Sequence, residues 1–145
     1  MADKKPQSFA NHTRLDPLFH FIVLPVFGLL PIATAVHFIW RPSLHLGIIF
    51  VVSVAATIAV LKIRLYSLKV QDRVIRLEER LRLQALAPAE WHAQIYNLSE
   101  DQLIALRFAA DDEVVELAKQ ALELKLTRKQ IKERIKSWRP DNFRI

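Results

Sequence analysis

Cysteine is absent from this chain, and glycine occurs only twice. Without cysteine the protein can form no disulfide, no thiolate metal site and no thiol nucleophile. Both glycines, Gly28 and Gly47, lie in apolar runs, so the chain has no glycine-rich phosphate loop and no dinucleotide-binding fingerprint. Scarce glycine with abundant Leu, Ala, Lys, Arg and Glu is typical of an all-helical protein.

Charged side chains are missing from two long stretches, residues 18–40 and 44–61. As helices rising about 1.5 Å per residue, these runs would extend about 34 Å and about 27 Å, against about 30 Å for the hydrocarbon core of a membrane. Lipid cannot hydrogen-bond free backbone groups, so we expect two transmembrane helices joined as a hairpin. A cleaved signal peptide is the alternative to the first span. It is disfavoured because the run contains two prolines and continues past the ATA triplet at 33–35 to Trp40.

The distribution of basic residues predicts the orientation of the hairpin. Lys4, Lys5 and Arg14 precede the first span, and only Arg41 lies between the spans. Seven basic residues follow the second span, namely Lys62, Arg64, Lys69, Arg73, Arg76, Arg80 and Arg82. Positive charge is retained on the cytoplasmic side, so both termini are expected in the cytoplasm.

These patterns predict an all-α fold with four segments. Residues 1–17 form a cytoplasmic N-terminal arm, residues 18–61 the transmembrane helical hairpin, residues 62–87 a juxtamembrane amphipathic helix, and residues 88–145 a cytoplasmic helical bundle. No proline or glycine occurs between Ile48 and Ala87. We therefore expect the second span to continue unbroken into a long cytoplasmic helix that ends at Pro88.

Apolar residues of the juxtamembrane helix recur at intervals of three and four. This is the period of an amphipathic helix or of a short coiled coil. We expect the stripe to pack on the chain's own C-terminal helices, with dimerisation through it as the alternative. Its members are Ile63, Val70, Val74, Leu77, Leu81 and Ala85.

Two capping boxes, Ser99–Gln102 and Thr127–Gln130, predict the starts of two helices in the small C-terminal helical bundle. The acidic triplet at 111–113 favours the start of another helix between them, because the helix dipole attracts negative charge there. The last helix is expected to carry Ile131, Ile135 and Trp138 and to end at Pro140. A short additional helix is expected within residues 88–98.

Charge is distributed in blocks. Residues 88–116 carry a net charge of −6, between +4 for residues 62–87 and +6 for residues 117–145. We expect Lys62, Arg64 and Lys69 to bind anionic lipid head groups, which attract basic residues near the membrane surface. The later arginines are expected to meet protein carboxylates, with Asp111–Glu116 as the main source.

A hairpin would bring polar residues from both ends of the spans to one membrane face. We expect this polar collar to anchor the chain among lipid head groups and to contact other subunits. No nucleophile–base pair and no metal-binding triad is recognisable, so we predict no catalytic residues, no metal site and no enzymatic activity. The collar comprises Asn11, His12, Arg14, His20, Lys62, Arg64, Lys69, Asp72, Arg73, Arg76 and Arg80.

Two alternative functions follow from other residues. His37 and His45 lie four residues on either side of Arg41, where a hairpin could place them at similar depth for a haem or chlorin. Otherwise they are interfacial histidines and no cofactor is expected. Residues 111–138 could form a DNA-binding helix-turn-helix with a basic second helix. We expect no nucleic-acid partner, because the turn lacks glycine and the chain is tethered to a membrane.

Several segments resemble a family of small, uncharacterised bacterial membrane proteins. They are FANHTR at 9–14, RLYSLKVQDR at 64–73, LRFA at 106–109, and the IK and WRPD segments beginning at 131 and 138. The resemblance implies a multi-pass protein of the bacterial inner membrane with two spans and a cytoplasmic helical tail, and it implies no activity. Together with the residues, it predicts a non-enzymatic interaction or accessory subunit whose partners are the lipid bilayer and other membrane subunits, or a homo-oligomer.

Overall fold

The computed structural model describes residues 8–9 and 15–140, and across these residues the chain is helical with no β-strand. The predicted all-α fold class is confirmed. The chain divides into two compact units. The hairpin unit is Leu15–Lys69, and the helical unit comprises residues 70–140. The division falls inside one helix.

Two long helices dominate the first half of the chain. A π-helical stretch, Phe19–Val23, leads into α1, Leu24–Trp40. After a turn at 41–43, α2 runs without interruption over Leu44–Leu86, 43 residues. The predicted continuous helix is thus confirmed, and it ends two residues before Pro88. Both helical stretches are long and apolar enough to cross a membrane.

Polar groups of the hairpin unit lie between α1 and α2. Pro31 interrupts α1, and because proline has no N–H, the carbonyl of Phe27 lacks its usual helical donor. The Thr57 hydroxyl of α2 donates to that carbonyl over 2.6 Å. About one turn back along α2, the hydroxyls of Thr34 and Ser53 lie 3.1 Å apart. No apolar side chain of α1 is fully buried within the described residues, and most are exposed.

The helical unit contains short helices around one apolar core. After α2 come a 3₁₀ turn at Ala89–Trp91 and four helices: α3, His92–Ile95; α4, Glu100–Leu106; α5, Val114–Glu123; and α6, Arg128–Arg134. The core side chains that are completely shielded from solvent include Leu83, Ile95, Leu103, Leu106, Phe108, Val114 and Ile131.

Both predicted capping boxes are confirmed. The side chains of Ser99 and Thr127 accept from the N–H groups of Gln102 and Gln130, and each glutamine side chain bonds back to the capping residue. The expected end of the last helix is wrong, because α6 stops at Arg134 and Ile135 is extended. Trp138 instead forms an antiparallel bridge with Ala109.

Candidate interaction surface

Helix α2 presents two different faces within the helical unit. Its inner face consists of Ile75, Glu79 and Leu83, and Ala87, the first residue after the helix, continues this line; all four are buried. These residues are four apart, the spacing of one side of a helix. Leu83 belongs to the core of the unit. The inner face therefore fixes the rotation of α2 against the other helices of the unit.

The opposite face of α2 is apolar and uncovered. Val70, Val74, Leu77 and Leu81 are 62%, 49%, 60% and 57% exposed. We call these four residues the outer stripe. Val74 and Leu83 are nine residues apart, so at about 100° per residue they point about 180° away from each other. None of the four residues of the outer stripe belongs to the core of the helical unit.

The predicted packing of this stripe on the chain's own C-terminal helices is therefore wrong. Ile63 and Ala85, its two other members, are exposed as well. The prediction failed because the face that does pack contains a charged residue, Glu79. The prediction took the face of α2 with the most regular apolar spacing to be the buried one. The inner face is buried instead, because ion pairs compensate the charge of Glu79 there.

Glu79 is held at the inner face by two arginines. Its carboxylate oxygens lie 3.0 Å from Nη1 of Arg82 and 3.5 Å from Nη1 of Arg139. Burial raises the pKa of Glu79 above its ordinary value, and the nearby charges of Arg82 and Arg139 oppose that shift. The pairing offsets part of the cost of burying the carboxylate.

Arg82 connects α2 to the segment that precedes α5. Its Nε donates to Asp111 over 2.7 Å, and its Nη2 donates to the carbonyl of Ala109 over 2.7 Å. A cleft of about 660 Å³ opens beside this network, lined by residues that include Glu78, Arg107 and Asp111. Because its lining mixes carboxylates and guanidinium groups, the cleft is a site of ion pairing within the unit rather than a pocket of one charge.

Among the ion pairs of the described residues, the predicted pairing of the later arginines with Asp111–Glu116 holds for Arg82 alone. Arg76 pairs with Glu100 instead, at the start of α4. The guanidinium of Arg80 lies 5.7 Å from the ring centroid of Tyr96. The sequence indicated the sign of the partner for Arg76, but not its position.

The collar residues of the hairpin unit have local contacts. Nδ1 of His20 lies 2.8 Å from the backbone oxygen of Asp16. The guanidinium of Arg64 lies 5.2 Å from the centroid of the Phe19 ring, and Lys62 and Lys69 are exposed. Asn11, His12 and Arg14 lie outside the described residues. The role of the collar as a whole stays a prediction.

A family model matches the chain over residues 1–145. The chain belongs to the family of unknown function DUF6526. This confirms the resemblance to a family without an assigned activity. No curated protein and no solved structure matches the chain. Functional inference for this DUF6526 chain therefore depends on its own residues.

The histidines considered for a tetrapyrrole lie on either side of the turn at 41–43. Both His37 and His45 are exposed. An apolar groove of about 680 Å³ opens near the same turn, lined by residues that include Phe38, Gly47 and Val51, and neither histidine lines it. Across residues 8–9 and 15–140, no group of three or more His, Asp or Glu side chains is placed to hold a metal ion. Haem or chlorin binding stays a prediction.

The basic residues of the considered helix-turn-helix are partly engaged inside the helical unit. Lys132 is buried, with its Nζ 5.1 Å from the centroid of the Phe108 ring. Nη1 of Arg128 lies 3.9 Å from Oδ1 of Asp101, and Nζ of Lys129 lies 3.8 Å from Oε1 of Glu133. Part of the positive charge that suggested a nucleic-acid-binding helix is therefore engaged in contacts within the protein.

Proposed function

We propose that this protein is a membrane-anchored, non-enzymatic interaction subunit of a larger assembly in a bacterial inner membrane. Residues 18–61 would form the two-span anchor, with both termini in the cytoplasm, and the helical unit would bind the partner. The observation that carries the proposal is the outer stripe of α2. A monomer in water gains nothing from four exposed apolar side chains in line, whereas a docking surface requires them.

The anchor is supported by the inverted polarity of the hairpin unit. Its apolar side chains face outward, and the hydroxyls of Thr34, Ser53 and Thr57 are turned toward the contact between the helices. This arrangement suits hydrocarbon, where helices associate through small and hydroxyl-bearing residues. The cytoplasmic orientation rests on the seven basic residues between Lys62 and Arg82.

Native mass spectrometry after gentle detergent extraction tests the interaction. The parent is expected to appear in a species heavier than the 16.8 kDa of one chain. Leu81→Glu places a charge in the outer stripe and should reduce the heavy species to the single chain. Leu124→Glu is the matched control, because Leu124 is 59% exposed on the helical unit but lies outside the stripe. A parent present only as a single chain would refute the proposal.

Cysteine labelling tests the topology independently, since the chain has no native cysteine. In sealed cells, a membrane-impermeant maleimide should label Ser43→Cys in the turn. Leu124→Cys should react only after the membrane is opened. Labelling of both positions, or of Leu124→Cys alone, in sealed cells would contradict the predicted orientation.

A further inference from the structure

The spacing of the outer stripe matches a specific kind of helix pair. Val70 and Leu77 are seven residues apart, as are Val74 and Leu81, and the two sets are offset by four and three. This places Val70 and Leu77 at d positions and Val74 and Leu81 at a positions of two successive heptads. At the centre, a β-branched residue at a is followed by leucine at d, the combination that favours two parallel strands.

The charged residues beside the stripe define the orientation of the partner helix. In this register Arg73 and Arg80 occupy g positions, and Glu78 occupies an e position. In a parallel pair, each g residue faces the e residue five positions later on the other helix. Arg73 would then face Glu78 of a second copy, and symmetry would repeat the pair. Both side chains are exposed, and among the described residues neither forms an ion pair.

An antiparallel pair would give the opposite electrostatics. There g positions face g positions, so Arg73 would meet Arg80 of the other copy. Like charges at this position are repulsive. Two copies with the same membrane topology would also present their α2 helices in the same direction, an argument that depends on the proposed anchor. Both considerations select the parallel arrangement.

We propose that the outer stripe binds the outer stripe of a second copy of this chain, forming a short parallel two-stranded coiled coil. Two heptads alone make a weak contact. A shared membrane raises the effective concentration of one copy around another, which allows a short seam to suffice. The inner face of α2 is already occupied by its own helical unit and lies on the opposite side of the helix, so pairing would leave the unit's core undisturbed.

Disulfide cross-linking of the full-length chain in native membrane vesicles tests this arrangement. Leu77→Cys places the only thiol at a d position, where two parallel helices approach within disulfide range. Leu124→Cys is the control, because the two leucines are almost equally exposed, 60% and 59%. After mild oxidation we expect at least about ten times more covalent dimer from Leu77→Cys, given the short reach of a disulfide.

Charge exchange in the Leu77→Cys background identifies the partner as a second copy in parallel register. Arg73→Glu alone or Glu78→Arg alone would oppose like charges across the seam, and each should lower the dimer yield about threefold or more. The double exchange recreates both pairs with reversed sign and should restore the yield. A different protein partner would have no reason to respond to the second change by recovering.

The outcomes separate this inference from the proposed function. Equal dimer yields from Leu77→Cys and Leu124→Cys, or single exchanges without effect, would overturn the coiled coil. So would a double exchange that does not recover. If Leu77→Cys cross-linked to a heavier, different protein, the inference would fail while the interaction function stood. A single-chain species in native mass spectrometry, with no cross-linking, would remove both.

Discussion

The hairpin unit buries none of its apolar side chains, whereas the helical unit encloses an apolar core. Phe21 and Phe108 illustrate the contrast, with exposures of 70% and 0%. Hydroxyl groups mediate the contact between α1 and α2, and apolar side chains fill the centre of the helical unit. The outer stripe of α2 follows neither pattern, because it aligns four exposed apolar residues on a unit that encloses an apolar core. This exception is the basis of the docking surface proposed above.

The largest expected effect comes from removing a core ring of the helical unit. Phe108→Ala should lower the free energy of unfolding by about 3–5 kcal/mol, because it leaves a cavity in a fully enclosed site. Phe21→Ala, in the hairpin unit, should leave that free energy unchanged. Denaturant titration in detergent, followed by tryptophan fluorescence, measures both. Equal losses would break the contrast between the units.

Arg82 and Arg76 allow a comparison of enclosed and open ion pairs. Arg82→Met removes the nearer of the two arginines from the buried carboxylate of Glu79 and should cost about 3 kcal/mol. Arg76→Met removes a pair whose carboxylate, on Glu100, is 73% exposed, and should cost less than about 1 kcal/mol. The same titration applies. A larger loss for Arg76→Met would mean that the α2–α4 contact, rather than the Arg82 network, fixes α2.

Removing a hydroxyl from the hairpin unit should have a smaller effect. Thr57→Val leaves the Phe27 carbonyl without its donor and should destabilise the helix pair by about 1 kcal/mol, the usual scale for such bonds in membranes. Ser67→Ala is the control, because its hydroxyl donates to the backbone carbonyl of Ile63 in the same helix. Unfolding by SDS titration from a mild detergent measures the difference. Indistinguishable variants would show that the hydroxyl bond contributes little.

The smallest expected effect is a change in pH dependence. Because burial raises the pKa of Glu79, its protonated form is favoured in the folded state. Protonation of Glu79 therefore stabilises the folded state. This contribution is fully present when the pH is below the pKa of Glu79 in the unfolded chain, and it is lost as the pH rises through the pKa of Glu79 in the folded protein. The parent should therefore lose stability relative to Glu79→Gln as pH increases from acid. The reverse slope would mean that Arg82 and Arg139 outweigh burial.

Sequence patterns predicted the elements whose causes are local. The charge-free runs gave the two long helices, and the capping boxes at Ser99 and Thr127 located the starts of α4 and α6. The end of α5 carries no glycine. Lys125 adopts the left-handed conformation there, with φ of 49°, so the usual helix-termination signal was absent.

Features determined by distant residues were not predictable in this way. The carboxylate of Glu113 accepts from the backbone N–H groups of Lys136 and Ser137, and Trp138 bridges to Ala109. These contacts hold the chain after Arg134 in a non-helical conformation, so α6 ends before the predicted Pro140. They join residues distant in the sequence, and no local sequence pattern predicts them. The rotation of α2 was missed for a related reason, because the burial of Glu79 depends on Arg139, 60 positions away in the chain.

The bond between Thr57 and Phe27 also has a consequence for biosynthesis. The acceptor carbonyl is made 30 residues before its donor. At about 5 to 20 residues per second, α1, which ends at Trp40, is complete about 1 to 3 seconds before the hydroxyl is added. During that interval a helix released into lipid would carry an unbonded carbonyl, which hydrocarbon does not tolerate. If the hairpin is the proposed membrane anchor, we therefore expect α1 to wait in a hydrated insertion site and to enter the bilayer together with α2, so that the hairpin, rather than the single helix, is the unit of insertion.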